Sequence, residues 1–170
     1  MPRPSVGDEV TADLIDYLTY KPICQLEGQS ATSIAHNTDT AVPFSAGSEV
    51  FDDEAWHDTS TNNTRITPNI AGRYRVWGWS VWTGSTTITA CNTAIFKNAA
   101  VISRSGNHKP NATNGVSTYG SFIQTTVDMN GSTDYLELFV NHLSAGSVAE
   151  TLNNAASGRS TLGVQLISRT

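Results

Sequence analysis

Tyr74-Arg75-Val76-Trp77-Gly78-Trp79-Ser80-Val81-Trp82 is the most informative stretch of the chain. Successive side chains of a strand point to opposite faces of its sheet. One face of this run therefore carries Tyr74, Val76, Gly78, Ser80 and Trp82, and the other carries Arg75, Trp77, Trp79 and Val81. Both faces are apolar or aromatic, whereas a strand of an antiparallel sandwich ordinarily buries one face and wets the other. The run predicts a central strand, covered on one side by its own sandwich and on the other by something else.

Two further segments repeat the pattern. Over 134–142, Tyr135 and Phe139 oppose Leu136, Leu138 and Val140. Over 116–128, Tyr119, Ile123 and Val127 share one face while Val116 and Phe122 take the other. Several such strands would leave a large apolar patch on a monomer, which soluble monomers avoid. Self-association covers the patch, and closed rotational symmetry keeps the assembly finite. An arm or long loop lying across the second face is the alternative, but residues 1–20 offer few large apolar groups. The expected core and subunit-interface aromatics are Tyr74, Trp77, Trp79, Trp82, Tyr119, Phe122, Tyr135 and Phe139.

Outward from this centre, short strands are predicted at 22–27, 31–36, 40–44, 64–67, 73–82, 86–97, 99–104, 116–128, 134–142 and 160–168. Gly, Asn, Ser and Pro clusters separate them, and no helical run intervenes, which points to an all-β sandwich or barrel. Composition agrees. Of 170 residues only 15% are charged and 38% hydrophobic; Asn, Thr and Ser make up the difference. These favour turns and sheet surfaces over helix interiors. Residues 1–20 differ: Pro2 and Pro4 suggest an extended start, and Val10, Leu14, Tyr17 and Leu18 recur at helical spacing behind Asp8 and Glu9. A short amphipathic helix is expected there, closed off before Pro22, and too short to hold alone in water. The predicted organisation is an N-terminal arm over 1–20 and one domain over 21–170.

A net charge of −5 and ten scattered Lys and Arg argue against nucleic acid, whose affinity comes from clustered cations, and against anionic membranes. No stretch reaches the roughly 20 apolar residues needed to cross a bilayer. The start, Met1 to Asp8, has no apolar core, so no secretory signal is expected. A soluble chain made in a cytoplasm is predicted. Cys24 and Cys91 lie in apolar or Thr-rich runs and fit no metal spacing; two buried, reduced thiols are expected.

The order of motifs adds a resemblance. Gln29-Ser30-Ala31-Thr32-Ser33-Ile34 leads to Thr40-Ala41-Val42-Pro43-Phe44, then to His57-Asp58, Asn62-Asn63-Thr64-Arg65-Ile66-Thr67 and Ala71-Gly72-Arg73-Tyr74. This resembles a group of small phage virion proteins whose jelly roll is like that of tumour necrosis factor (TNF) and the complement globular head. The likeness covers roughly 22–168 and is densest over 29–82. It implies a ten-stranded, two-sheet TNF-like jelly roll, a homotrimer with inner sheets facing the three-fold axis, and a virion component rather than a catalyst. No collagen-like or coiled-coil shaft precedes the knob, which fits a capsid decoration protein or a small tail fitting better than a fibre tip.

Most single polar candidates read more simply as structural residues. Asp52, Asp53, Glu54, His57 and Asp58 form the acidic cluster, but their spacing is not that of a calcium loop. His57-Asp58 lacks a nucleophile elbow or a zinc-protease motif, and His36, His108 and His142 lie on separate segments. Arg65 and Arg73 are placed to pair with the 52–58 carboxylates. Trp56 stands in a polar loop and is the aromatic expected to meet an outer ligand. The resulting expectation is a non-enzymatic virion protein without cofactor or metal. It would be a homotrimer, anchored by its arm to major capsid or tail subunits, with loops 45–62, 104–114 and 144–159 outward. Recognition of a host-surface glycan is the alternative function.

Overall fold

The computed structural model describes residues 15, 19–28, 32–83, 87–108, 118–153 and 158–170, with Thr118 and Tyr119 described in backbone only. Twelve strands are formed among them: β1 (Ile23–Glu27), β2 (Ser33–Ile34), β3 (Thr40–Ala41), β4 (Glu49–Asp52), β5 (Arg65–Ile66), β6 (Ala71–Thr83), β7 (Ile88–Lys97), β8 (Ala100–Arg104), β9 (Thr118–Asn130), β10 (Leu136–Ser144), β11 (Glu150–Thr151) and β12 (Thr161–Arg169). One five-stranded sheet runs β4-β1-β12-β6-β9. The facing sheet runs β3-β10-β7-β8, with β5 also on β10, and β11 pairs β2 separately. Every pairing is antiparallel. The chain changes sheet between β6 and β7, again between β8 and β9, and once more before β10, so sequence neighbours seldom pair. That is a jelly-roll sandwich.

Strand alternation builds the core. Tyr74, Val76 and Trp82 of β6, with Leu162, Val164 and Leu166 of β12, meet Ile95 of β7 and Leu136, Leu138 and Val140 of β10, all buried. The Ala71-Gly72-Arg73-Tyr74 motif has a local reason. A Cβ at Gly72 would lie 2.4 Å from the Ser168 carbonyl oxygen, and the Tyr74 hydroxyl donates to the Ile70 carbonyl at 2.7 Å, fastening the strand's entrance. Deeper in, the sheets are joined by a polar clamp rather than by apolar packing alone. Ser80 Oγ and Thr93 Oγ1 lie 2.6 Å apart, Thr93 Oγ1 donates to the Ser121 carbonyl at 3.0 Å, and Ser105 Oγ and Ser121 Oγ are 2.6 Å apart. Buried hydroxyls paired in this way avoid the cost of desolvation without a partner.

The expected count of ten strands is corrected to twelve. All ten predicted segments carry a strand; β4 and β11 are the additions, and both fall within stretches read as outward loops. Among the described residues β4 pairs only with β1, and its Val50 and Phe51 are exposed. It has no buried face to impose an alternation, so its pattern read as an acidic turn. The expected helix residues Val10, Leu14, Tyr17 and Leu18 lie outside the described residues. Within that stretch Ile15 and Thr19 are described, and Thr19 Oγ1 donates to the Ile15 carbonyl at 2.7 Å.

Candidate functional site

The outer face of the five-stranded sheet is where the second apolar face of β6 emerges. Register places Phe51, Gln25, Gly163, Trp77 and Gln124 side by side across five strands, with Thr161, Trp79 and Phe122 on a neighbouring rung. Both indoles lie flat because glycines sit beneath them. A Cβ at Gly163 would come within 2.1 Å of Trp77 Cε2, and one at Gly120 within 2.4 Å of Trp79 Nε1. Covering a strand glycine with an aromatic ring is a known way of offsetting its missing side chain. Trp79 remains 49% exposed, Phe122 55% and Phe51 52%; the first two stand side by side with Trp77, while Phe51 lies beyond Gln25 and Gly163 on the same face. A recess of about 480 Å³ opens between Trp77, Trp79, Phe122, Gln25, Glu27 and Arg159.

Glutamine and threonine predominate around these rings, with Glu27 and Arg159 at the recess and Arg75 on the rung adjacent to Trp77. Gln25, Gln124, Gln165, Thr126 and Thr161 surround the rings. Arg75 Nη2 donates to Gln124 Oε1 at 2.9 Å. Further out, Arg73 grips Asp128 through two bonds at 2.8 and 3.2 Å, and those bonds hold the Asp128 carboxyl below its ordinary range.

The other expected interface aromatics separate. Tyr74 and Trp82 are core residues, fully buried. Tyr135 and Phe139 sit on the outer face of the opposite sheet: Arg65 lies 3.9 Å above the Tyr135 ring, and Phe139 stacks on Phe96 with centroids 3.9 Å apart. These two are therefore not part of one surface with Trp77, Trp79 and Phe122. The side chain of Tyr119 lies outside the described residues. Trp56 is a correction. It is 2% exposed, donates from Nε1 to Asn69 Oδ1 at 2.9 Å and meets Tyr74 edge-on at 5.6 Å. Its polar neighbours Asp52 and Asp53 turn the chain so that the indole plugs the end of the sandwich, and no ligand can reach it.

Arg65 and Arg73 also pair elsewhere than expected. Arg65 Nε donates to the buried Glu137 at 3.3 Å, as Thr64 does at 2.7 Å, and Arg73 goes to Asp128. The 52–58 carboxylates instead accept backbone amides. Asp52 takes those of Trp56 and His57 at 2.8 and 3.0 Å, and Asp53 that of Ile23 at 3.0 Å. Asp58 takes those of Ser60 and Thr61 at 2.8 and 3.1 Å, which pulls it down to about 2. Among the described residues no three His, Cys, Asp or Glu side chains come together in a way that would hold a metal. His57 has both ring nitrogens engaged, Nδ1 with Glu49 at 2.9 Å and Nε2 with the Asn63 carbonyl at 3.3 Å. The fold brings together two histidines that the sequence separates: His36 and His142 meet edge-on at 6.2 Å, and His142 packs on Trp82 at 5.1 Å. His142 is buried and bonded to the Ile34 carbonyl at 3.0 Å. Cys24 and Cys91 are free and buried, as expected; burial pushes the Cys91 thiol up to about 11 and Cys24 further, so neither is a ready nucleophile.

The chain folds like murine APRIL. The structure of that protein at pH 5.0 aligns with a TM-score of 0.62 at 9% identity, over 87% of this chain and all of the other. The structure at pH 8.0 gives 0.59 at 11% identity with the same coverage. The likeness establishes a TNF-like jelly roll and nothing about activity. No family model matches the chain, and no curated protein does.

Proposed function

We propose that the protein is a non-enzymatic structural knob of a phage virion that assembles as a homotrimer through the outer face of its five-stranded sheet. One observation carries the assembly: the exposed rings of Trp79 and Phe122 beside Trp77, with exposed Phe51 beyond two intervening strands on the same face, flanked mainly by glutamines and threonines. Interface cores are marked by aromatic enrichment and depletion of charge. Half-exposed rings such as Trp79 and Phe122 each favour association by about 1 kcal/mol when covered. The occupant is another copy of the chain, since the opposite charges the face carries, Glu27 against Arg75 and Arg159, and its glutamines can pair with one another across a rotation axis. The three-fold order and the virion role rest on the motif series from Gln29 to Tyr74, to which the TNF-like fold is congenial. Attachment through an arm over 1–20 would then use three weak anchors on one rigid body. Capsid decoration is the favoured location, with a tail fitting that recognises a host glycan as the second reading.

The test combines solution mass with binding to purified phage heads and tails, using the full chain and a version lacking residues 1–20. A trimer that binds heads only with its arm establishes the reading. A trimer that binds tails or host envelope selects the second one, and a monomer removes both.

A further inference from the structure

The opposite sheet carries, on its own outer face, a recess of about 440 Å³, within the usual size of small-ligand sites. Its floor is one hydrogen-bonded network drawn from five segments. Arg104, at the end of β8, donates to both oxygens of Asp39, at 2.9 Å from Nη1 and 2.5 Å from Nη2, and from Nη1 to Asn92 Oδ1 at 2.8 Å. Asn141 of β10 donates to Asp39 Oδ1 at 3.0 Å, and Asn92 of β7 to Asn107 Oδ1 at 3.2 Å.

This network restricts what can bind. Asp39 and Arg104 neutralise each other, so neither a cation nor a phosphate finds an unspent opposite charge. The remaining capacity is amide: among the described residues Asn141 keeps its Oδ1 acceptor and Asn107 its Nδ2 donors. Hydroxyl groups, which donate and accept at once, match such a mixture. One wall is Leu143.

We infer that this recess binds a neutral carbohydrate, with hydroxyls bonded by Asn107 and Asn141 and ring carbons set against Leu143. The side chains of the floor are already fixed by each other, so little of their freedom is lost on binding. Each site is complete in one chain and lies on the sheet that faces away from the proposed subunit interface.

The probe is an array of neutral and sialylated oligosaccharides, followed by calorimetric titration of the full chain with the free sugar. Because the titration reads single sites, its result is separate from the oligomeric state, which the solution mass reports. A neutral sugar is expected to bind, about tenfold more weakly to Asn141→Leu and not at all to Leu143→Trp, which fills the recess. Ile167→Ser, exposed on β12 of the other sheet, leaves the affinity unchanged. Thermal melts show that the variants fold. Absence of any neutral sugar binding at millimolar concentration overturns the site. So does preference for sialylated sugars, or a hit that both recess variants retain.

Discussion

The two outer faces of this sandwich solve the same problem in opposite ways. On the five-stranded sheet, aromatic rings lie over glycines and stay open, with glutamine and threonine around them. On the opposite sheet the aromatics are closed by their own neighbours: Phe139 by Phe96, Tyr135 by the Arg65 guanidinium. The polar remainder of that face is tied into ion pairs, Arg65 with Glu137 and Arg104 with Asp39. A face whose polar groups have satisfied each other gains little from a protein partner, because association would have to desolvate them again. On the five-stranded sheet the rings are flanked mainly by glutamine and threonine, with Glu27, Arg75 and Arg159 as the nearest charges and the Arg73–Asp128 pair further out, so less charge has to be desolvated. The difference teaches that apolar content alone does not mark an interface; the state of the surrounding charges decides.

Removing the exposed rings has the largest expected effect. Trp79→Ser combined with Phe122→Ser is expected to convert the assembly to monomers in sedimentation, while Val101→Ser, equally exposed but on the opposite sheet, leaves the mass unchanged. If both variants keep the mass, the interface lies elsewhere. Next in size is the clamp between the faces. Thr93→Val strips Ser80 of its partner and the Ser121 carbonyl of a donor, and should cost about 2 kcal/mol in denaturant unfolding. A cost near zero would mean that the hydroxyls merely fill space. Gly163→Ala is finer still. Its methyl displaces the Trp77 ring, so association should weaken by about tenfold with little change in the melting of the monomer.

The smallest effect concerns acid. Arg104 bonds hold the Asp39 carboxyl below its ordinary range, and amides of Ser60 and Thr61 draw Asp58 down to about 2. A carboxylate depressed in the folded state stabilises the fold above its unfolded value near 3.8, and that contribution disappears as pH falls through the folded value. Stability should therefore decline between about pH 4 and pH 2, with a shallower decline in Asp58→Asn. Both groups are exposed enough for solvent to screen them, so the Asp39–Arg104 pair contributes at most about 1 kcal/mol. An identical acid profile in the variant would show that other carboxylates control it.

Much of this was legible in the residues. Alternation over 74–82 revealed a strand with two apolar faces, and the parity of Tyr74, Val76, Ser80 and Trp82 is the parity of the core. Cys24 and Cys91 read as buried thiols and are so. What alternation cannot say is which sheet a face belongs to. Tyr135 and Phe139 carry the same signature as Trp77 and Phe122, yet β10 lies in the other sheet, so they point away from them. Likewise a tryptophan among aspartates looks exposed until a reversal of the chain carries Trp56 beneath Tyr74.

By itself the sequence determined the all-β class, the strand centres and the inward parity of the long strands, because these follow from a two-residue period that needs no knowledge of partners. Only the tertiary structure decided which charges meet, since Asp39 with Arg104 and Arg65 with Glu137 are pairs made across 65 and 72 residues. Those long-range pairings tie up charges on one outer face of the sandwich, while the rings of Trp79 and Phe122 on the other stay exposed.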